Sequence, residues 1–263
     1  MYNDEWPKRS RNSLWLPCYI NNNTPKPIRA IPLQCTQMTN ETTFHAKCVK
    51  YNKPIGLLGG TFNPIHHGHL RLAVELYERL DLAEVRLIPS AHPPHRKQPS
   101  VSSQLRLEMV QAAIANVKGL SVDDRELRRS GLSYTIDTLS SLREEYPQRS
   151  LCLILGRDAF LGLPQWYQWE RLLTQAHILV VERRQETGLA QKEAIKDFWQ
   201  THQTTNREDL TKQLAGSIWL EENMPTLDIS ATQIRHLIAA DKNPCYLLPQ
   251  AVLNIINTHH LYR

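Results

Sequence analysis

The stretch from Ile55 to Leu70 constrains the fold and the chemistry of this chain more than any other. It reads Ile-Gly-Leu-Leu-Gly-Gly-Thr-Phe-Asn-Pro-Ile-His-His-Gly-His-Leu. Its opening apolar run predicts a buried strand. Gly59 and Gly60 follow, suited to a tight turn and to close approach of main chain to a ligand. His66, His67 and His69 then surround Gly68, and from Leu70 the apolar residues Leu70, Ala73, Val74, Leu76, Tyr77 and Leu80 recur at helical spacing. The order expected is therefore strand, glycine-rich loop, and a helix whose first turn carries His66 and His69. Residues three apart share a helix face, so these two side chains point one way and His67 another. A helix start offers unpaired N–H groups and partial positive charge, which attract phosphate. Two imidazoles placed there can donate to phosphate oxygens.

Other readings of these residues exist. A histidine pair can bind zinc, but no HExxH and no paired-cysteine spacing accompanies it. The histidines can also be plain polar residues at a helix start. A dinucleotide or P-loop site needs GxGxxG here or GxxxxGK[ST] somewhere, and neither pattern occurs.

From Pro54 onward, strand-like and helix-like segments alternate. Strands are predicted at Val85–Ile88, Leu120–Val122, Leu151–Leu155, His177–Val181 and Ser217–Leu220. Helices are predicted over 103–117 (Leu105, Met109, Ala112 and Ala113 on one face), Thr135–Tyr146, around Trp169, Leu172 and Leu173, over 189–201, from Ile234, and over Leu247–Ile256. Residues 90–102 form a polar, proline-rich loop. Such alternation implies a parallel sheet covered by helices on both faces, an α/β doubly wound fold. Ligands of such sheets bind beyond the carboxyl ends of the strands, where the Gly59–His69 loop opens. No internal repeat is present.

Residues 1–53 show no sustained period, and Asn21-Asn22-Asn23 with scattered prolines predicts a disordered extension, with 54–263 as the single folded domain. Trp6, Trp15, Leu16 and Tyr19 offer a small docking patch within it, and Met38 can serve as an alternative translational start. Charge separates the two parts. Residues 1–53 hold eight Lys and Arg against Asp4, Glu5 and Glu41, which accounts for the whole formal excess of +5. A neutral body gives little support to nucleic-acid binding. No apolar run approaches the roughly 18 residues needed to cross a bilayer, and an N-terminus with Asp4 and Glu5 is unlike a secretory signal. Cys18, Cys35, Cys48, Cys152 and Cys245 are scattered and odd in number, as expected of reduced cytoplasmic thiols.

Asp228-Ile229-Ser230-Ala231-Thr232-Gln233-Ile234-Arg235 repeats the logic of the first motif. Ser230 or Thr232 can cap a helix, and the hydroxyls, the free N–H groups and Arg235 can take phosphate oxygens. The plainer reading is a capped helix with a surface arginine.

Taken together, Gly-Thr-Phe-Asn-Pro-x-His-x-Gly-His and this later string resemble the HxGH and ISSTxxR motifs of the nucleotidyltransferase superfamily, in the same order. Three further stretches are similar to segments of the nicotinate mononucleotide adenylyltransferases. Ser133-Tyr134-Thr135-Ile136-Asp137-Thr138-Leu139 resembles their SYTxxTL, Gly156-Arg157-Asp158 through Pro164-Gln165-Trp166-Tyr167 their GxD…WY, and Pro93-Pro94-His95-Arg96 their PPH[KR] loop. The resemblance runs from Pro54 to Arg263. It implies a Rossmann-like doubly wound parallel sheet of the nucleotidyltransferase type.

It also implies catalytic roles for His66, His69 and Arg235, and ATP contacts from Gly59, Gly60, Thr61, Phe62, Gly156, Asp158, Ser230 and Thr232. Asn63, Tyr134, Thr135, Trp166 and Tyr167 would hold nicotinate mononucleotide, with Trp166 stacked on the pyridine ring and the N–H groups of Thr135 and Tyr167 on its carboxylate. His95 and Arg96 would add phosphate contacts. One departure stands out: the second motif reads Ser-Ala-Thr where the family pattern has Ser-Ser-Thr, removing one hydroxyl.

The implied partners are ATP and nicotinate mononucleotide, with no nucleic acid and no membrane; a homo-oligomer is compatible with everything above. The implied cofactor is Mg²⁺, bound mainly through substrate phosphates, so no protein metal ligand is assigned. Alternatives are an HxGH enzyme with another acceptor (nicotinamide mononucleotide or phosphopantetheine) and a nucleotide-binding regulator without turnover.

Overall fold

The computed structural model describes residues 53–93, 99–183, 193–225 and 227–263. The extension expected over 1–53, apart from Lys53, lies outside the described residues, as do its tryptophan patch and three cysteines. So do His95, Arg96 and residues 189–192 of the predicted helix.

The described chain runs β1 (Ile55–Gly60), α1 (His67–Arg79), β2 (Glu84–Pro89), α2 (Ser103–Ile114), β3 (Leu120–Val122), α3 (Arg125–Arg128), α4 (Thr135–Glu145), β4 (Leu151–Gly156), α5 (Arg157–Leu161), α6 (Leu172–Gln175), β5 (His177–Arg183), α7 (Glu193–His202), β6 (Gln203–Thr204), α8 (Asp209–Lys212), β7 (Ile218–Met224), α9 (Ala231–Ala239) and α10 (Gln250–Thr258). The seven strands form one sheet in the order β3-β2-β1-β4-β5-β7-β6. Every pairing is parallel.

Strand alternation builds two cores. Leu58, Cys152, Ile154, Leu179 and Val181 pack under α1, α2, α9 and α10, against Leu76, Met109, Ile234 and Val252. Ile55, Leu57, Leu151, Leu153, Ile178 and Val180 face the other way, against Ile136, Leu139 and Leu142 of α4, Phe160 and Ile195. A parallel sheet buried on both faces needs such continuous apolar strands, and this is why they were visible in sequence.

The order in which strands are added reverses between β1 and β4. β1 pairs with β2 from Ile55↔Glu84 to Gly60↔Pro89, but with β4 only from Ile55↔Leu151 to Leu57↔Leu153. Beyond Leu57 the two strands part and leave a crevice at their carboxyl ends, the position where open α/β sheets bind ligands.

Several boundaries differ from the sequence reading. α1 begins at His67, with His66 extended just before it (φ −149, ψ 171). α2 stops at Ile114, ahead of the turn closed by Gly119 at φ +81. α10 starts only after Pro249, which sits at its N-cap. β7 runs on through Glu221, Glu222 and Asn223, polar residues tolerated where its short neighbour β6 no longer covers it. The helices α3, α5 and α8, of four or five residues, are too short to show a period, whereas α6 lies where a helix was expected. Among the described residues no helix is long and apolar enough to cross a membrane.

Candidate active site

The crevice floor is glycine. At Gly59 and Gly156, the carboxyl ends of β1 and β4, an added Cβ would meet nothing within 4 Å, so both main chains face open space. At Gly60 a Cβ would lie 3.0 Å from the Phe62 ring. That ring is buried at φ +45 and meets His69 edge-on, centroids 5.1 Å apart. Phe62, expected as an ATP contact, therefore offers a ligand only its main chain; its side chain supports His69.

His66 and His69 come together as expected, although by stacking across the helix start rather than by sharing a turn. Their rings lie 3.8 Å apart at 29°. The main-chain N–H groups of His69 and Leu70 donate to the His66 carbonyl at 3.0 and 3.2 Å. A Cβ at Gly68 would stand 3.0 Å from Nδ1 and Cε1 of His66, so the glycine makes room for the folded-back imidazole. Nδ1 of both rings is enclosed without a hydrogen-bond partner. Burial lowers the pKa of His66 to about 4, with His67 adding repulsion, and that of His69 to about 3, with His66 adding repulsion. Both are neutral at pH 7. His67 points elsewhere, as expected, and lines an apolar groove with Leu70, Val74 and Leu227.

The second motif forms the start of α9. Ser230 Oγ accepts from the Gln233 N–H at 3.1 Å and the Gln233 side chain answers the Ser230 N–H, a capping box. Arg235 Nη2 donates to Thr232 Oγ1 at 3.1 Å, and Nη1 donates to the Asn63 carbonyl at 2.8 Å. The Ile229 carbonyl lies 3.3 Å from where a Gly68 Cβ would stand. Motifs far apart in sequence thus abut at one end of the sheet.

The stretches expected to hold the acceptor also meet. The Tyr134 and Tyr167 rings are 4.6 Å apart. Thr135 is the first residue of α4 and keeps an N–H of the kind a helix cannot pair internally. Trp166 packs against the second core and is only partly exposed, while Tyr167 is 51% exposed. Asp158 is exposed at the start of α5. Ser133 Oγ takes the N–H groups of Ala91 and His92 at 3.1 and 3.2 Å, tying the loop after β2 to the start of α4.

Two supporting residues were missed from sequence. Arg106, 1% exposed, donates to the carbonyls of Thr61 (2.6 Å), Ala91 (3.3 Å) and Val101 (3.4 Å), joining the loops after β1 and β2. It lies on the buried row of α2 with Val110 and Ile114, which rotates that helix from its expected face. An arginine on an apolar row was the available signal. Tyr262 donates to Asn63 Oδ1 at 2.7 Å. Cys152 is fully buried and its thiol is pushed up to about 12, so it is no nucleophile. Among the described residues, no three His, Cys, Asp or Glu side chains gather as a metal site.

Comparison with known proteins agrees with this geometry. The cytidylyltransferase-like family model matches residues 57–237. The probable nicotinate-nucleotide adenylyltransferase of Aeromonas salmonicida is 48% identical over 80% of this chain and 97% of its own length. The protein of the same name from Pseudomonas syringae pv. tomato is 49% identical over 80% of this chain and 93% of its own. In structure, Plasmodium falciparum nicotinic acid mononucleotide adenylyltransferase complexed with NaAD superposes with a TM-score of 0.62 at 18% identity, over 80% of this chain and 98% of that one. The chain belongs to the nicotinate-nucleotide adenylyltransferase family, within the cytidylyltransferase-like nucleotidyltransferases.

Proposed function

We propose that this crevice joins ATP to nicotinate mononucleotide, giving deamido-NAD and pyrophosphate. The observation that carries the reading is the Arg235–Asn63 hydrogen bond, which brings both phosphate-directed motifs to the mouth of the β1–β4 crevice. The names of relatives 48% and 49% identical over 80% of this chain support the acceptor.

In this reading an oxygen of the acceptor phosphate attacks the α-phosphorus of ATP in line. A new P–O bond forms, the α–β bond breaks, and pyrophosphate leaves with the electron pair. A phosphate monoester has a second pKa of about 6, so the nucleophile is already ionised and no protein base is needed. Catalysis is then positioning plus stabilisation of charge on the leaving group.

His66 and His69, neutral and with Nδ1 enclosed, would each turn an Nε2–H towards phosphate oxygens. Arg235 supplies the fixed charge. Ser230 and Thr232 have accepted their intramolecular bonds and keep their hydroxyl hydrogens for phosphate. The open main chain at Gly59 and Gly156, with that of Gly60 and Thr61 beside it, would let the nucleotide approach, and the Asp158 carboxylate can accept from a ribose hydroxyl. Mg²⁺ would enter on the triphosphate, held by its oxygens and by water, and would offset its charge. The residues present fit that: two uncharged imidazoles set no cation against the metal.

For the acceptor, the partly exposed Trp166 indole can stack on pyridine, and the N–H groups of Thr135 and Tyr167 suit a carboxylate. A carboxamide would turn its NH₂ against at least one of those donors, leaving both unpaired. Each unmet buried donor costs about 1–3 kcal/mol, so two such faults give a preference for the acid of roughly 10²-fold. Pyrophosphate release measured with nicotinate and nicotinamide mononucleotides tests this, and Trp166→Ala should raise KM for the acid about tenfold or more while leaving ATP nearly untouched. Equal kcat/KM for the two acceptors defeats the carboxylate argument. An ATP-specific defect in Trp166→Ala places the indole elsewhere.

A further inference from the structure

Asn63 is held from two directions by residues distant in sequence. Arg235 Nη1 donates to its main-chain carbonyl at 2.8 Å, and the Tyr262 hydroxyl donates to its side-chain Oδ1 at 2.7 Å. A carboxamide has one acceptor end and one donor end, and which end faces a ligand is set by its other partners. We propose that Tyr262 is a positioning residue for acceptor recognition: its O–H engages Oδ1 of Asn63, so that the Asn63 NH₂ is the end presented to the mononucleotide. The inference rests on the reading above that Asn63 faces the acceptor.

Two observations support the direction of that bond, and a third shows how the ring is held. The guanidinium groups of Arg106 and Arg235 both act on the Tyr262 oxygen, so its lone pairs are best turned to them and its hydrogen to Asn63. Burial raises the hydroxyl's pKa above its ordinary value, which keeps the hydrogen in place. Finally, Tyr262 stands at φ +66 with its ring packed against the first core.

With the hydroxyl removed, the carboxamide can turn over and offer oxygen where the ligand needs N–H. Tyr262→Phe should raise KM for nicotinate mononucleotide about tenfold, the scale of one uncharged hydrogen bond, with KM for ATP changed less than about twofold. Asn63→Ala should raise the same KM at least as much. In the Asn63→Ala background, adding Tyr262→Phe should change nothing further, because one residue acts through the other. If Asn63→Ala is costly while Tyr262→Phe is neutral, or if the two effects simply multiply, the positioning role falls and the Asn63 assignment stands. If Asn63→Ala leaves the acceptor KM unchanged, the assignment falls and the proposal with it. A loss shared equally by ATP and acceptor marks general loosening and also overturns the proposal.

Discussion

The starts of α1 and α9 look alike in sequence, each a short polar string opening an amphipathic helix, yet they are built differently. α1 has no side-chain cap, and its first N–H groups are largely spoken for. That of His67 goes to the Leu247 carbonyl at 3.0 Å and that of His69 to the His66 carbonyl at 3.0 Å. What it presents instead is a stacked pair of uncharged imidazoles. α9 closes its own end with a capping box that uses the N–H groups of Ser230 and Gln233, leaves those of Ala231 and Thr232, and adds the charge of Arg235. In the proposed reaction one end would supply direction and the other charge. A site that must hold a polyanion and its cation together gains from that division, since uncharged donors repel no metal.

The largest effect is expected where direction matters most. In the proposed reaction His69 would donate to charge that develops in the transition state, so His69→Ala should lower kcat by roughly 10²–10³, the usual cost of one such donor. The melting temperature should move little. His69→Asn, which keeps an N–H, should recover part of the loss. Near-normal turnover in a folded His69→Ala protein removes the imidazole from the site and breaks the comparison.

A smaller effect should come from the charged end. Arg235→Gln loses a charge-assisted contact worth about 1.5–3 kcal/mol, lowering kcat/KM for ATP by roughly 10–100-fold. Arg235→Lys should keep the salt dependence of ATP binding but not full activity, because a compact ammonium cannot reach Asn63, Thr232 and phosphate at once. Arg235→Gln should flatten that salt dependence and His69→Ala should leave it intact. If His69→Ala flattens it equally, the division between direction and charge is wrong.

The division was only partly legible in sequence. Buried strands and the two motifs announce themselves because a two-sided core demands continuous apolar runs, and because Gly59, Gly60 and Gly68 have no other use at that spacing. What sequence could not show is how the parts are tied. Arg106 reads as an ordinary helical arginine until its three carbonyl partners are seen, each on a loop or turn brought near by the fold. Tyr262 reaches Asn63 only because α10 returns the chain to the first motif. The charge state of the histidines was equally hidden, since it depends first on burial, with repulsion from a neighbouring histidine second.

That charge state gives the smallest predicted effect. An exposed histidine titrates near 6.5, as both would in the unfolded chain. Burial first, and neighbouring histidines second, lower His66 to about 4 and His69 to about 3 in the folded protein. As pH falls below 6.5, the unfolded chain binds protons that the folded chain refuses, and stability is lost progressively down towards pH 4; above 6.5 the contribution is fully present. The melting temperature should therefore drop by a few degrees between pH 7.5 and 5.5, and the drop should shrink in a protein carrying His66→Asn and His69→Asn together. Turnover follows a different group over the same range. The acid limb of kcat/KM should lie near pH 6, where the acceptor phosphate takes up its proton, while imidazole nitrogen resonances of His66 and His69 stay neutral at pH 5.5. Resonances that titrate near 6.5 would mean charged imidazoles in the working enzyme, and α1 would then supply charge as α9 does.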